Sequence, residues 1–440
     1  MSELKVCVCD DISERGRRTV EKIRNMHRVE IDIRPRCLFE DELSVALKRL
    51  FDRVRRLLPP DGTASSETGD ALGPTEFDHE IVVIDNNLAA LNIEGVRLTA
   101  EAVAGFVRAF TKAGYVVSLN KNPEVDFDLR YLVGDYQTQA DLALNASHLS
   151  NPALWTGNAR DAEDGFLPWY WPALGNVAKK RSAQIEFLNS KKRLESPIIE
   201  ALDFHQASVD HLSRHAVGAL TPPENAEDTG VQDSIPLHDV TFMDFFLHSC
   251  RSLPAYADRH TLNNQAADGS ECALEIIARV VAAEIDKWFR RDVLGPQDVL
   301  VDVPHLLMRM PFLLGDKVTD LDWWHGSLSL QEPPFGLNRE VYCEHVSDAR
   351  FSHDHLMKSP CFWWPKLKEN QVLNDLFFES RDNWPDVVFC EDASQFRSAV
   401  PNGGSIEPMQ FSAEFEGSWS RRYVSLLPGK IYSPQSRFAR

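Results

Sequence analysis

The sequence has no long apolar run and few cysteines. No segment approaches the roughly eighteen consecutive apolar residues that a membrane-spanning helix needs. The N-terminus reaches Asp10 and Asp11 after a short apolar stretch, without the longer apolar core and cleavage site of a secretory signal. Eight cysteines among 440 residues are too few for a disulfide scaffold, and they are typical of reduced thiols. The sequence therefore predicts a soluble, cytoplasmic protein.

Basic residues are in short supply as well. The chain has 47 Lys+Arg against 66 Asp+Glu, which gives a formal net charge of −19. Phosphate backbones and anionic lipid headgroups both bind positive surfaces, so we expect neither nucleic acid nor a membrane as a partner. The length of 440 residues exceeds one typical domain. It predicts two or three domains.

Several catalytic motifs are missing from the sequence. There is no CxxC pair, no GxxxxGK[ST] loop, no GxSxG elbow and no GxGxxG fingerprint. Their absence argues against a P-loop NTPase, an α/β-hydrolase and a dinucleotide-dependent oxidoreductase. Cys7 and Cys9 alternate along an apolar run, and we expect them on opposite faces of a strand as core packing.

Strand and helix patterns alternate through residues 1–150. Apolar residues at helical spacing alternate with short β-branched runs, which predicts parallel β–α–β units. The expected order is strand 5–9, helix 12–27, strand 29–33, helix 40–58, strand 81–84, helix 99–113, strand 115–118 and strand 140–145. We therefore predict an α/β domain over 1–150 with a doubly wound, five-stranded parallel sheet.

The remaining chain, residues 151–440, has a different composition. All ten tryptophans lie at or beyond Trp155, and helical patterns dominate. The clearest helix is 273–291, and 387–390 is a clear strand. These patterns predict a mainly helical α+β output or partner region. A second division near 221–234, which is rich in proline and acids, is left open.

Acidic residues follow two of the predicted strands. Asp10 and Asp11 lie just past the first strand, and Asp85 ends the third. Side chains at the carboxyl ends of strands meet in a crevice of a doubly wound sheet, and three carboxylates there need a hard cation such as Mg²⁺. This arrangement suits phosphoryl transfer with Asp85 as nucleophile. The simpler alternative is that Asp10 or Asp11 caps the following helix and that Asp85 begins a turn.

On these residues the N-terminal third resembles the receiver domain of two-component response regulators. The resemblance rests on the Asp10-Asp11 pair, the run 81–85 and the strand 116–118. It implies that Asp85 accepts phosphate from a histidine kinase, and that Asp10, Asp11 and Asp85 hold Mg²⁺ together with the backbone near Asn87. Ser118 matches the hydroxyl residue that contacts the phosphoryl group in that family.

The sequence also departs from the receiver pattern. Receivers carry a lysine at the end of the fifth strand, and the corresponding positions here are Ala146 and Ser147. Lys121, three residues after Ser118, is a candidate replacement from another direction. An inserted loop at 59–78 lengthens the separation between Asp11 and Asp85. Two interpretations remain: a divergent receiver that takes phosphate, or a pseudo-receiver that only binds partners.

The resulting functional hypothesis is a response-regulator-like signalling or phosphate-buffering protein. In architecture it resembles components of bacterial anti-phage two-component systems of the Detocs kind, which would add a second receiver-containing effector as a partner. One alternative is a scaffold without phosphotransfer. Another is an effector enzyme whose site lies in the C-terminal region, with the metal-ligating residue types His205, His211, His215 or His353 as candidates. The oligomeric state is left undetermined.

Overall fold

The computed structural model describes most of the N-terminal third and separate stretches of the rest. The described stretches are 3–25, 32–57, 74–93, 96–121, 139–146, 171–190, 193–202, 236–242, 271–289, 299–327, 339–343, 361–369, 387–390, 395–398, 407–410 and 421–425, with the single residues 149, 212, 217, 337, 393 and 428. None of the helices in these stretches is both long enough and apolar enough to cross a membrane.

The N-terminal part is an α/β structure around one five-stranded, all-parallel sheet, which confirms the predicted class. Its strands are β1 (Glu3–Asp10), β2 (Asp32–Phe39), β3 (Ile81–Asp85), β6 (Tyr115–Asn120) and β7 (Leu142–Asn145). Their order across the sheet is β2-β1-β3-β6-β7. All five residues of β3 are buried, which suits its run of β-branched side chains.

Helices pack against both faces of this sheet. The N-terminal helices are α1 (Ser13–Asn25), α2 (Glu40–Leu57) and α3 (Ala100–Phe110), and a later one is α4 (Trp171–Asn189). One core joins α2 and α3 to the side chains of Cys7, Val82 and Val116. The other joins α1 and α4 to side chains on the opposite face. The side chain of Thr99 caps α3 by accepting a hydrogen bond from the N–H of Ala102 at 3.3 Å.

Three sequence expectations for this part are corrected. Cys7 and Cys9 lie in the same core, with their sulfurs 3.9 Å apart, because residues two apart on a strand share a face. Strand β2 extends to Phe39 through Pro35, beyond the predicted 29–33. Pro35 is tolerated because β2 is an edge strand, where a missing N–H costs no ladder bond on its open side. A hairpin that was not predicted, β4 (Asn87–Ile93) with β5 (Val96–Thr99), lies between β3 and α3.

Beyond residue 150 the described stretches contain both helices and short strands. The helices are α5 (Ile198–Ala201), α6 (Glu271–Val280), α7 (Asp286–Trp288), α8 (Val303–Arg309), α9 (Leu321–Ser327) and α10 (Trp364–Glu369), with a π-helical turn at Val281–Ile285 between α6 and α7. Short 3₁₀ turns are Arg193–Glu195, Leu237–Asp239, Pro311–Lys317 and Arg339–Val341. Up to residue 289, where the described stretch ends, the predicted helix 273–291 is a helix interrupted by a π turn.

The strands in the described stretches of this region form two further sheets. Strands β8 (Leu300–Asp302) and β9 (Cys361–Trp363) pair antiparallel, and β10 (Val387–Cys390), β11 (Gln395–Ser398), β12 (Glu407–Gln410) and β13 (Arg421–Val424) form a four-stranded sheet in the order β11-β10-β13-β12. The strand predicted at 387–390 is confirmed as β10. Most of the loop 59–78, all of 221–234 and the proposed boundary at 150/151 lie outside the described residues, so the domain division stays a prediction.

Buried contacts link the sheet to helices beyond residue 150. Arg181 on α4 pairs with Asp141, whose carboxylate lies 2.7 Å from the Arg181 guanidinium. Arg108 on α3 pairs with the same carboxylate at 3.1 Å and with Glu284, in the π turn, at 2.9 Å. Lys287 donates a hydrogen bond to the carbonyl of Ala140 at 2.7 Å. This network lies where β6 and β7 begin, at the end of the sheet away from Asp10 and Asp85.

Candidate functional site

The parallel register places the ends of β1 and β3 side by side. Cys9 lies opposite Ile84, so Asp10 and Asp11 leave β1 beside Asp85 at the end of β3. The three carboxylates are buried, with exposures of 0% for Asp10, 7% for Asp11 and 3% for Asp85. One oxygen from each lies within 4.8 Å of the others, and they form the only such acidic cluster among the described residues. The carboxyl ends of two neighbouring strands thus bring three negative charges to one point.

Asp10 is fully engaged by neighbours. Its Oδ1 accepts a hydrogen bond from the N–H of Ile12 at 3.0 Å, one residue before α1 begins at Ser13, so this bond belongs to the turn that leads into the helix. Its Oδ2 forms an ion pair with the ammonium of Lys121. Both oxygens of Asp10 therefore have a partner within the protein.

Only one of the two carboxylate oxygens of Asp11 accepts a hydrogen bond from the described residues. The N–H of Ala90, in the β4 strand of the hairpin, donates to Asp11 Oδ2 at 2.9 Å. Asp11 Oδ1 is buried, and no described residue gives it a hydrogen bond. Since a buried carboxylate oxygen without a partner is costly, this atom is a position where a cation or a donor is needed.

Asp85 receives backbone hydrogen bonds from Asn87 and Asn86. Its Oδ2 is buried and accepts no hydrogen bond within the described part of the chain, although Lys121 Nζ lies 3.2 Å away. Burial raises the pKa of Asp85 to about 6, and the nearby charge of Asp11 adds to the rise, while the bond from Asn87 and the charge of Arg15 oppose it. Asp85 is therefore largely ionised at neutral pH but titrates within reach of it.

Lys121 supplies the positive charge of the site. It follows the last residue of β6, Asn120, and its side chain is 16% exposed. Burial lowers the pKa of Lys121 to about 8, and contact with two carboxylates favours its charged form. A single ammonium facing three carboxylates leaves the pocket with about two uncompensated negative charges when all are ionised.

Ser118 and Asn87 lie at the edge of the cluster. Ser118, buried on β6 opposite Ile84, donates a hydrogen bond from its hydroxyl to Asn86 Oδ1 at 3.4 Å. Asn87 is exposed, and its side-chain Oδ1 accepts a hydrogen bond from the N–H of Ala89 at 3.1 Å. The structure thus brings Asp10, Asp11 and Asp85 together and places Ser118 and Asn87 beside them.

Some residues of the site were missed or left undecided from sequence. The direction of Lys121 depends on how β6 sits beside β3, which no local pattern encodes. The N–H of Ala90 reaches Asp11 through the β4–β5 hairpin, whose signal in the sequence is a glycine, Gly95, between two runs that contain apolar residues. Of the alternative candidates, His205, His211, His215 and His353 lie outside the described residues, as does Ser147.

The residues present fit a divalent metal ion of the Mg²⁺ type. The cluster offers carboxylate oxygens only, which hard cations prefer, and within the described part of the chain Asp11 Oδ1 has no hydrogen-bond donor while Asp85 Oδ2 has only the Lys121 ammonium at 3.2 Å. The charge left uncompensated by Lys121 matches that of one divalent ion.

Comparison with known proteins yields no relative for this chain. No family model, no curated protein and no solved structure matches it. Any function therefore has to be inferred from the residues and geometry of the site.

Proposed function

We propose that the N-terminal α/β part is a receiver domain, similar to those of response regulators, that accepts a phosphoryl group on Asp85. The observation that carries the proposal is the buried cluster of Asp10, Asp11 and Asp85 beside the ammonium of Lys121. A mere capping role needs one carboxylate at a helix start, and it does not account for three that converge in a buried pocket.

The sheet supports this interpretation. Without the β4–β5 hairpin, the order across the sheet is second, first, third, fourth and fifth strand, with helices on both faces. This order matches the doubly wound arrangement of the flavodoxin-like type that we propose for the domain, in which ligands bind at the carboxyl ends near the switch between the first and third strands. Asp10 and Asp85 lie at those two strand ends.

The chemistry follows from the protonation and contacts of Asp85. One ionised oxygen of Asp85 attacks the phosphorus of a phosphohistidine donor; the new O–P bond forms as the donor's P–N bond breaks, and the imidazole leaves. Lys121, whose ammonium lies 3.2 Å from Asp85, faces the negative charge of the incoming phosphoryl group. Ser118 is connected to Asp85 by way of Asn86, because its hydroxyl donates to the Asn86 side chain and the Asn86 N–H donates to Asp85. Asp11 and Asp85 would hold Mg²⁺, which neutralises phosphoryl oxygens when it is bound.

The donor in this proposal is a histidine kinase, and a second receiver-containing effector is a further partner. The assignment to an anti-phage phosphorelay rests on the sequence resemblance alone. A kinase encoded beside this gene, purified and autophosphorylated, is the reagent that tests it: transfer of its phosphate to this chain, and not to the Asp85→Asn variant, is the expected result.

A small-molecule test does not require the kinase. The full-length chain is incubated with Mg²⁺ and acetyl phosphate, and intact mass spectrometry records a phosphoryl adduct. We expect an adduct on the wild type and on Asp52→Asn, an exposed carboxylate of α2 that serves as the control. We expect none on Asp85→Asn. An adduct that persists in Asp85→Asn, or no adduct on any form, refutes Asp85 as the acceptor.

The second candidate is a scaffold without phosphotransfer. It is favoured by Ala146, which takes the place of lysine at the end of β7, and by Lys121, which already pairs with Asp10. Under this hypothesis beryllofluoride with Mg²⁺ leaves the melting temperature of the wild type unchanged. If beryllofluoride raises the melting temperature of the wild type but not that of Asp85→Asn, the scaffold hypothesis is rejected and the role of Asp85 as phosphoryl acceptor is supported.

A further inference from the structure

The pocket contains a cation of its own. Lys121 contacts Asp10 and lies 3.2 Å from Asp85, so its ammonium occupies space between the ends of β1 and β3. It reaches this place from the carboxyl end of β6, where Leu119 lies opposite Asp85. The lysine is therefore held by the sheet and not by a chance surface contact.

The carboxylate oxygens of the cluster differ in what is open to a metal ion. Asp11 Oδ1 is buried and receives no hydrogen bond from the described residues, whereas the buried Asp85 Oδ2 has the ammonium of Lys121 at 3.2 Å. Asp10 has no such oxygen, because Ile12 and Lys121 take both. A divalent ion that gathers all three carboxylates needs the oxygen that the ammonium now holds.

We infer that Lys121 and a divalent cation are competing counter-ions for this pocket, and that binding of the cation to Asp10 requires Lys121 to leave it. The inference deepens the proposed function and rests on its metal site. An ammonium and a dication that share one carboxylate oxygen repel each other strongly in a buried site. The long side chain of Lys121 can swing outward, because its stem is flexible and part of it is already exposed.

The competition makes metal affinity adjustable by one residue. With Lys121 in place, one ammonium offsets part of the negative charge of the three carboxylates. When Lys121 is replaced by a neutral residue, that positive charge is lost. Removing the ammonium both frees Asp10 Oδ2 and leaves the pocket more negative, so both effects strengthen binding of a dication. Loss of a buried counter-ion also weakens the metal-free fold.

The experiment is a titration of the full-length protein with Mn²⁺, followed by electron paramagnetic resonance of the free ion. We expect Lys121→Met to bind Mn²⁺ roughly tenfold more tightly than the wild type, or about 1.4 kcal/mol. Lys121→Arg keeps the charge and should stay near the wild type. Lys112→Met, an exposed lysine outside the pocket, is the matched control and should not change the affinity.

The outcomes separate the inference from the proposed function. Equal or weaker Mn²⁺ binding by Lys121→Met, while the wild type binds Mn²⁺ and accepts phosphate, overturns only the competition. Tighter binding without any phosphoryl adduct on Asp85 keeps the competition and removes the proposed function. No binding by the wild type or by Lys121→Met overturns both. Lys121→Gln, measured beside a circular-dichroism melt, replaces Lys121→Met if that variant does not fold.

Discussion

At the scale of single residues, the properties of Asp85 come from its position and not from its type. It ends a fully buried strand, and its carboxylate is removed from water beside a second carboxylate. Burial raises its pKa to about 6 although two backbone N–H groups favour the charged form. A carboxylate held in this way is ionised near neutral pH and yet costs stability, which is a common property of functional acids.

The raised pKa of Asp85 predicts a pH-dependent effect of Asp85→Asn on stability. In the folded chain the pKa of Asp85 is about 6, whereas the ordinary pKa of an aspartate is 3.8. The stability that this group contributes is full below pH 4 and is lost as the pH rises through 6. In metal-free buffer we therefore expect Asp85→Asn to gain about 1.4 kcal/mol on the wild type between pH 5 and 7.5, which is about half of the roughly 3 kcal/mol for the full titration from acid pH.

Denaturant unfolding at several pH values measures this difference. Asp52→Asn on the exposed face of α2 is the control for replacing a carboxylate that lies outside the pocket. A constant difference for Asp85→Asn across the same range would contradict a raised pKa.

At the scale of elements, two contacts hold α4 against the sheet. Burial raises the pKa of Asp141, but the guanidinium groups of Arg108 and Arg181 outweigh it and hold the pKa well below its usual range. Arg181 also donates to the carbonyl of Gly114 at 2.9 Å. Helix α4 is thus fixed to the start of β6 by an ion pair and a backbone contact.

Removing one partner of this buried ion pair is expected to be costly. In Arg181→Met the carboxylate of Asp141 keeps Arg108 but loses its 2.7 Å contact, and we expect a loss of about 3 kcal/mol in the free energy of unfolding. Lys179→Met, an exposed neighbour on the same helix, should change stability by less than about 0.5 kcal/mol. Urea denaturation of both variants makes the comparison, and equal effects would refute a structural role for the pair.

Gly114 allows α4 to approach the sheet. A Cβ at this position would lie 2.9 Å from both the Cα of Ala178 and the carbonyl oxygen of Glu80, which are backbone atoms that do not move easily. We therefore expect Gly114→Ala to destabilise the protein by about 1–3 kcal/mol. Gly326→Ala, in open space on α9, should be neutral or slightly stabilising. Melting curves of the two variants test the contrast.

At the scale of the whole molecule, the N-terminal sheet depends on chain beyond residue 150. Leu174 of α4 lies in the same core as Val6, Val83 and Val117, and it is fully buried. Partly buried Ile276, on α6, packs against the core on the other face. Both faces of the sheet therefore receive side chains from the region predicted as a separate output part.

This packing predicts different behaviour for two N-terminal fragments. A fragment of residues 1–150 lacks α4, so it exposes the apolar face around Val6 and loses Arg181, one of the two ion-pair partners of Asp141. A fragment of residues 1–190 keeps both. We expect the shorter one to melt at a lower temperature and to aggregate more, as size-exclusion chromatography and calorimetry would record. Equal stability of the two would support a boundary at 150.

Much of the N-terminal fold could be predicted because its elements have strong local patterns. The run 81–84 and the helical spacing of Leu43, Leu47 and Leu50 each favour one type of element, and the structure confirms both. The hairpin was missed because β4 begins at Asn87, with a single residue between it and the end of β3, and because its partner β5 has only four residues. Strand β2 was cut short because Pro35 suggests an end, whereas an edge position tolerates it.

The sequence alone determined the class of the N-terminal fold and the three acids of the site. Alternating periodicities require parallel strands with helices between them, and acids that follow such strands meet at one edge. Only the tertiary structure decided that a lysine ammonium lies against these acids and which later helices pack on the sheet. Lys121 reaches Asp10, and Arg181 reaches Asp141, through neighbours far away in the chain. Contacts of this kind depend on the relative positions of whole elements, which local patterns do not contain.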